Sequence, residues 1–446
     1  MTTVSGVLND LVARIECPAP ALAWGVMIDG HLAASGGRGA DAATPFRIAS
    51  MTKSFTAAAV LGLRDDGVLS LDRPVEEYAP ELRAVRGPAG SPPITLRHLL
   101  SMAAGLSTDD PWADRHLDAT AEFMDEVYAG GVHFAARTGD TFEYSNLGFA
   151  MIGRVVRAVT GRPVRDHVDE RLLRPLGMTR TTWDRPPGAV ALPHRVRDGV
   201  VAPDDHDPLA DGEIAPMGGL WSTVEDLVRW MAWLDSAHAG VEASSSPARR
   251  EMQSIHTYAG QLSLDGVSAP SGYGFGILLR DDPVIGMVAG HSGGLPGYGS
   301  NMRWRRGSGV GVVALANVTY APMSTLTHRA LTALVTTGLV ATPTVEPDEL
   351  LSSRAHALVA LFGSWDDAVA RALCADNVDL DDDFGRRRAE VERHTSGRGA
   401  RLIAVVPTSR TSGTIEVQCG DSRWAVDFSL SPHRGLVQTW SWRSRS

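Results

Sequence analysis

Among the 42 Lys and Arg residues of this 446-residue chain there is a single lysine, Lys53. Arginine keeps its proton near neutral pH, whereas a buried lysine can release it. A chain that uses arginine for every other cation is therefore expected to use Lys53 for acid/base work. Cysteine is almost as scarce, and Cys17, Cys374 and Cys419 are odd in number and widely separated, which excludes a disulfide framework. Basic charge is in deficit overall. A net charge of -10 and a pI near 5.8 argue against a nucleic-acid partner, which would favour a clustered basic surface. The one basic run, Arg386-Arg387-Arg388, lies among acidic residues and reads as a solvated helix face. Apolar runs of membrane-spanning length are missing too, and Met1 to Pro20 lacks a basic n-region and a continuous apolar h-region. No membrane association is expected, and a cytoplasmic location is. The 14 histidines are scattered; His206, within Asp204-Asp205-His206-Asp207, reads as a hydrated loop, and neither a metal nor a cofactor is expected.

What is present around the lone lysine is Phe46-Arg47-Ile48-Ala49-Ser50-Met51-Thr52-Lys53. The stretch from Ser50 to Asp66 predicts a helix rich in Ala, Leu and Phe, with Gly67 at C′. Residues i and i+3 share a helix face, which puts the Lys53 amine within reach of the Ser50 hydroxyl. A lysine neutralised by burial can accept a serine proton and activate the hydroxyl as a nucleophile. Taken alone, the same tetrad also fits a solvated lysine and a capping serine.

Two further segments decide between these readings. Thr141-Phe142-Glu143-Tyr144-Ser145-Asn146-Leu147-Gly148 leads into a helical pattern from Ala150 to Val159. Gly290-His291-Ser292-Gly293-Gly294 follows the apolar run Val284 to Ala289 and reads as a strand edge with little side-chain bulk. In the order Ser-x-x-Lys, Tyr-x-Asn, His-x-Gly, the three resemble the motifs of the serine β-lactamase and penicillin-binding protein superfamily. The resemblance is to its class C-like branch of esterases, D-aminopeptidases, D-alanyl carboxypeptidases and peptide-cyclising thioesterases. Thr95 to Leu100, Pro175-Leu176-Gly177-Met178 and Gly218 to Thr223 with Asp226 add to it, over about residues 20 to 335.

The resemblance implies a role for each residue. Ser50 is the nucleophile, Lys53 its proton acceptor, and Tyr144 a proton shuttle whose phenol a nearby cation could hold partly ionised. Asn146 orients Lys53 and a substrate amide or carbonyl. His291, Ser292 and Gly293 line the substrate site, and the backbone amides of Ser50 and Gly294 form the oxyanion hole. His291 stands where β-lactamases carry a lysine. It is mostly neutral above its ordinary pKa, so it offers a carboxylate-bearing β-lactam no fixed cation. Ser101-Met102-Ala103-Ala104-Gly105-Leu106 stands where relatives often show His-Thr-Ser-Gly-Leu, a second departure that bears on specificity.

Along the chain, Leu22 to Ile28 and His31 to Ser35 flank Asp29-Gly30, a hairpin signal of type I′. Strands are expected at Gly274 to Leu279, Val284 to Ala289, Ser300 to Trp304 and Gly309 to Ala316. The resemblance implies that the N-terminal hairpin and late strands share one antiparallel sheet flanked by helices, with a helical insertion between, in an α/β β-lactamase/transpeptidase-like fold. The expected domains are a hydrolase domain over 1–340, a linker over 341–348, and an α+β accessory domain over 349–446. The last has helices at Leu350 to Phe362 and near Trp365 to Cys374, then four strands, a pattern like the cone-shaped nuclear transport factor 2 group. The Gly-rich run Gly272 to Gly276 lacks a following helix and reads as strand-edge packing rather than a nucleotide loop.

The leading expectation is a serine hydrolase forming an acyl-enzyme on a small-molecule ester, thioester or amide. An acyltransferase or cyclase would use the same residues with an amine resolving the acyl-enzyme. A penicillin-recognising sensor that is acylated without turnover is the non-enzymatic alternative. The oligomeric state is not legible in the sequence.

Overall fold

Asp29 and Gly30 both adopt positive φ, 51° and 75°, as a type I′ turn requires. They join β1 (Leu22–Ile28) to β2 (His31–Arg38). A computed structural model describes residues 3–204, 211–238, 247–340 and 347–444, so His206 and most of the expected linker lie outside the described residues.

Six later strands complete the sheet: β3 (Thr257–Leu264), β4 (Val267–Tyr273), β5 (Leu278–Asp282), β6 (Gly286–Leu295), β7 (Tyr298–Arg305) and β8 (Val310–Ala316). Their order is β2-β1-β8-β7-β6-β5-β4-β3, and all neighbours are antiparallel. The hairpin and the late strands therefore share one sheet, with Leu22 opposite Ala316. One expected strand is corrected. Residues 274–277 form the connection between β4 and β5, because Phe275 N–H donates to the Met252 carbonyl and Gly276 N–H to that of Leu100 rather than to a strand. The β3-β4 hairpin was not anticipated.

Helices α1 (Val4–Arg14), α2 (Thr52–Asp65), α3 (Asn146–Thr160), α4 (Val224–Asp235) and α5 (Met323–Thr336) flank the sheet. Alternate strand residues enter different cores, as the pleat dictates. Trp24, Val26, Val312 and Ala314 pack with Leu8 of α1 and Leu326 and Leu331 of α5. Ala23, Met27, Val313 and Leu315 join the larger core containing α2, α3 and α4. The α2 helix is buried on every side from Thr52 to Leu61, as expected of a central helix with no polar face. It ends in a Schellman motif, with Gly67 at φ 74°, its N–H on the Arg64 carbonyl and the Val68 N–H on that of Leu63.

The chain divides into two compact units, Met1–Thr342 and Pro343–Ser446. The second has its own core, with Leu351, Leu358 and Phe362 of α6 (Glu349–Gly363) packed with Val417, Val426 and Trp440. Its sheet is an antiparallel meander of β9 (Arg401–Ser409), β10 (Ser412–Cys419), β11 (Ser422–Leu430) and β12 (Val437–Ser444). Arg386 and Arg388 are exposed on a helix, Phe384–Thr395, while Arg387 lies over the Trp440 ring. Among the described residues, no helix is long and apolar enough to cross a membrane.

Candidate active site

Ser50 does not open α2 but sits in a short 3-10 turn, Ala49–Met51, immediately before it. Ala49 holds φ 51°, a left-handed conformation that costs a non-glycine residue energy and marks a backbone held by its surroundings. The neighbour that holds it is β6. A Cβ at Gly293 would lie 2.2 Å from the Ile48 carbonyl oxygen and 3.0 Å from the Ala49 Cβ, so only glycine permits this approach. Ser300 of β7 adds a hydrogen bond from its hydroxyl to the same Ile48 carbonyl, 2.8 Å.

Lys53 is fully buried on the first turn of α2. Its Nζ lies 2.9 Å from Ser50 Oγ and donates to Asn146 Oδ1 at 2.6 Å and to the Met217 carbonyl at 3.0 Å. Burial lowers its pKa from 10.5 to about 8, opposed by the carboxylates of Asp110, Asp114 and Asp109. A neutral amine is thus accessible near physiological pH.

Tyr144 completes the group, with the Lys53 Nζ 4.9 Å from its ring centroid and its hydroxyl hydrogen-bonded to Ser50. Its expected partial ionisation is corrected. Burial raises its pKa well above the ordinary value, and the neighbouring Tyr273 and Asp110 push the same way, so the phenol rests neutral.

Asn146 reaches Lys53 as expected, and one of the two N–H groups of its amide is committed to Asp110 Oδ1 at 2.6 Å. His291 Nδ1 lies 2.5 Å from the Ser292 carbonyl, which can only accept, so Nδ1 carries the proton and Nε2 accepts from the Tyr273 hydroxyl at 2.8 Å. Burial, with the charge of Lys53 second, lowers the His291 pKa to about 3. The imidazole is neutral, as the sequence predicts, but both its nitrogens are occupied. Gly293 packs against the Ser50 turn and does not line the cavity, whereas Ser292 and Gly294 do.

That cavity, of about 290 Å³, is bordered by Ser50, Tyr144, Tyr273, His291, Asp110 and Asp114, with Phe142 and Tyr320 at its walls. The acidic residues were not anticipated. Asp109 accepts the backbone N–H groups of Asn146 and Leu147, both at 2.7 Å, and so holds the start of α3. Asp114 accepts from the Tyr320 hydroxyl at 2.7 Å, and burial raises its pKa to about 7. The available signal was the Asp109-Asp110 pair before Pro111, with Asp114 four residues beyond it, which carries no motif. Tyr273 lay in the Gly-rich run assigned to packing.

Residues 10–337 match the family model described as Beta-lactamase. Esterase EstB of Burkholderia gladioli is 28% identical over 323 residues, which cover 63% of this chain and 79% of that protein. Among solved structures, the D-stereospecific amidohydrolase from Streptomyces sp. is similar with a TM-score of 0.60 and 25% identity, over 74% of this chain and 98% of its own. The octameric penicillin-binding protein homologue from Pyrococcus abyssi gives a TM-score of 0.62 at 19% identity over 96% of each chain, a likeness of fold.

Proposed function

Since the chain belongs to the Beta-lactamase family and is a serine hydrolase of the Ser-x-x-Lys type, we propose that Ser50 takes the acyl group of a small ester or amide in which no carboxylate is required. The observation that carries this reading is the buried Lys53 amine 2.9 Å from Ser50 Oγ. In its neutral form it accepts the serine proton as Oγ attacks the carbonyl. The resulting ammonium is held by Asn146 Oδ1 and the Met217 carbonyl, both already in place and costing no reorganisation. Tyr144, a neutral phenol, donates its proton to the departing alcohol or amine and is reprotonated from Lys53. The backbone amides of Ser50 and Gly294 receive the oxyanion. Water then enters against the acyl-enzyme, and the same groups run in reverse.

Substrate class follows from the cavity's charge. Asp110 and Asp114 border it, no arginine among the described residues does, and His291 is neutral with both nitrogens engaged. A substrate carboxylate meets repulsion and no fixed cation, whereas a neutral ester, or an amide bearing an ammonium group, meets neither obstacle. EstB is named as an esterase and the Streptomyces protein as a D-stereospecific amidohydrolase, and both chemistries fit this cavity. The test is kcat/KM for p-nitrophenyl acetate and butyrate, D-alanine p-nitroanilide and nitrocefin at about pH 7.5, with intact-mass detection of acylated Ser50. Esters should lead. Nitrocefin turnover equal to or faster than the esters would overturn the assignment, and product analysis with an added amine separates hydrolysis from acyl transfer.

A further inference from the structure

Ser300 of β7 turns its hydroxyl toward the Ser50 turn, so its alternate neighbours Asn301 and Arg303 face the other side of the sheet. There Thr327 of α5 donates to Asn301 Oδ1 at 2.5 Å. Strand register sets Ser292 opposite Asn301, Gly290 opposite Arg303, and Arg280 opposite both Val288 and Ser271. These residues, with Ser324 of α5, line a second cavity of about 170 Å³.

The charges around this cavity do not balance. Arg280 is satisfied by the carbonyls of Leu262 at 2.6 Å and Val267 at 2.7 Å and reaches Asp282 at 3.4 Å. Asp282 is itself engaged by the N–H groups of Val284 and Ile285. Arg303, only 7% exposed, makes no hydrogen bond or ion pair with any described residue. Burial, and after it Arg280, lowers its pKa to about 10 against the opposing pull of Asp282, which still leaves it cationic at neutral pH. His328 on α5 has its own pKa lowered by burial and by Arg303, and its Nδ1 makes no hydrogen bond with any described residue, with Asp282 Oδ2 3.9 Å away. With Asp282, among the described residues, the one carboxylate acting on two arginines, Arg280 and Arg303, a further counter-charge would be favourable.

We propose that this cavity binds a small oxyanion, a carboxylate or phosphate group, with Arg303 as its cation and the Ser292 and Ser324 hydroxyls as further donors. Arginine's planar fork suits such a group, and Ser292 Oγ, which accepts from Asn301 Nδ2 at 2.8 Å, keeps its own proton to give. The Asn301 amide also reaches the His291 carbonyl at 3.3 Å. Occupancy would therefore brace β6 just before Gly293 meets the Ser50 turn, and the site adjoins the acylation cavity through His291 and Ser292, with its cation Arg303 outside that cavity's lining.

The experiment is thermal unfolding of the full chain against inorganic phosphate and sodium acetate at constant ionic strength. Wild type should show a saturable rise in Tm of about 2 to 5 °C, as linkage to a native-state ligand requires. Phosphate also raises Tm without saturation by exclusion from protein surface, and Arg303→Met should keep only that part. In anion-free buffer Arg303→Met should melt at or above wild type, because methionine removes the unpaired charge at similar length. The proposal is overturned if both proteins respond alike, or if Arg303→Met melts well below wild type without anion. If Arg303→Met does not fold, Arg303→Lys serves, since it keeps the charge but loses the fork. Its anion midpoint should rise by about tenfold or more, and an unchanged midpoint counts against the site. Ser50→Ala should retain the saturable shift, which separates this site from the hydrolase reading. Kinetics identify the source of the oxyanion. If a substrate supplies it, Arg303→Met raises KM for p-nitrophenyl hydrogen succinate but not for p-nitrophenyl acetate; if it is a free ion, KM for both stays as in wild type.

Discussion

Replacing Lys53 with arginine keeps a cation on the first turn of α2 and removes only the ability to shed a proton. With a pKa of about 8, about a quarter of the Lys53 amines are neutral at pH 7.5, against roughly one in a thousand for an ordinary lysine at 10.5. Burial therefore raises the population of competent base by roughly 200-fold. A guanidinium in the same place stays protonated, and its bulk must also fit where Ser50 Oγ, Asn146 Oδ1 and the Met217 carbonyl all lie within 3.0 Å of the amine. The kcat/KM of Lys53→Arg for p-nitrophenyl butyrate should fall by at least ~10²-fold, the lower range for losing a general base. In wild type the same quantity should climb with unit slope as pH rises and level off above about pH 8, where the amine is neutral. Circular dichroism and the thermal midpoint establish that the variant is folded. A folded Lys53→Arg enzyme within about tenfold of wild type, or a wild-type profile flat between about pH 6 and 9, would refute the proton-acceptor role.

Gly293→Ala sets a methyl group 2.2 Å from the Ile48 carbonyl and should cost about 1 to 3 kcal/mol of stability while displacing Ser50, read as a lower Tm together with a fall in kcat. Asp109→Ala removes the acceptor of two backbone N–H groups at the start of α3, an expected loss of about 1 to 2 kcal/mol by urea denaturation, and should lower kcat because Asn146 begins that helix. Deleting residues 345–446 should leave Ser50 reactive toward a fluorophosphonate probe, because every proposed catalytic group belongs to the first unit, which has its own core. A folded truncate that takes no label until the missing segment is added in trans would show that the second unit supplies part of the site.

The parts of the site legible in the sequence are those written in short local patterns. Ser50 and Lys53 are three residues apart, Tyr144 and Asn146 two, and their order along the chain carried the resemblance. What escaped depends on burial and on distant contacts. Asp109 matters because it meets a helix start 37 residues later, and no local pattern announces such a meeting. The Tyr144 phenol was expected to be partly ionised because a cation lay near, yet desolvation by the surrounding protein outweighs that attraction. His291 was expected to line the substrate site, and it does, but its Nε2 is engaged by the Tyr273 hydroxyl, which comes from a run read as packing. In the fold, the β1-β2 turn was readable because Asp-Gly fixes its own dihedrals. The strand expected from Gly274 failed because its backbone found partners outside the sheet.

The buried position of the sole lysine makes this protein its own unfolding gauge. In a Ser50→Ala background, where the nucleophile that would itself take an activated acyl group is gone, an amine-reactive ester should spare Lys53 in the folded chain, since that side chain has no exposed surface. An adduct located on Lys53 by peptide mapping then marks molecules whose α2 region has opened. Its rate of appearance along a denaturant series then reports the free energy of that opening, residue-specifically and without any engineered label.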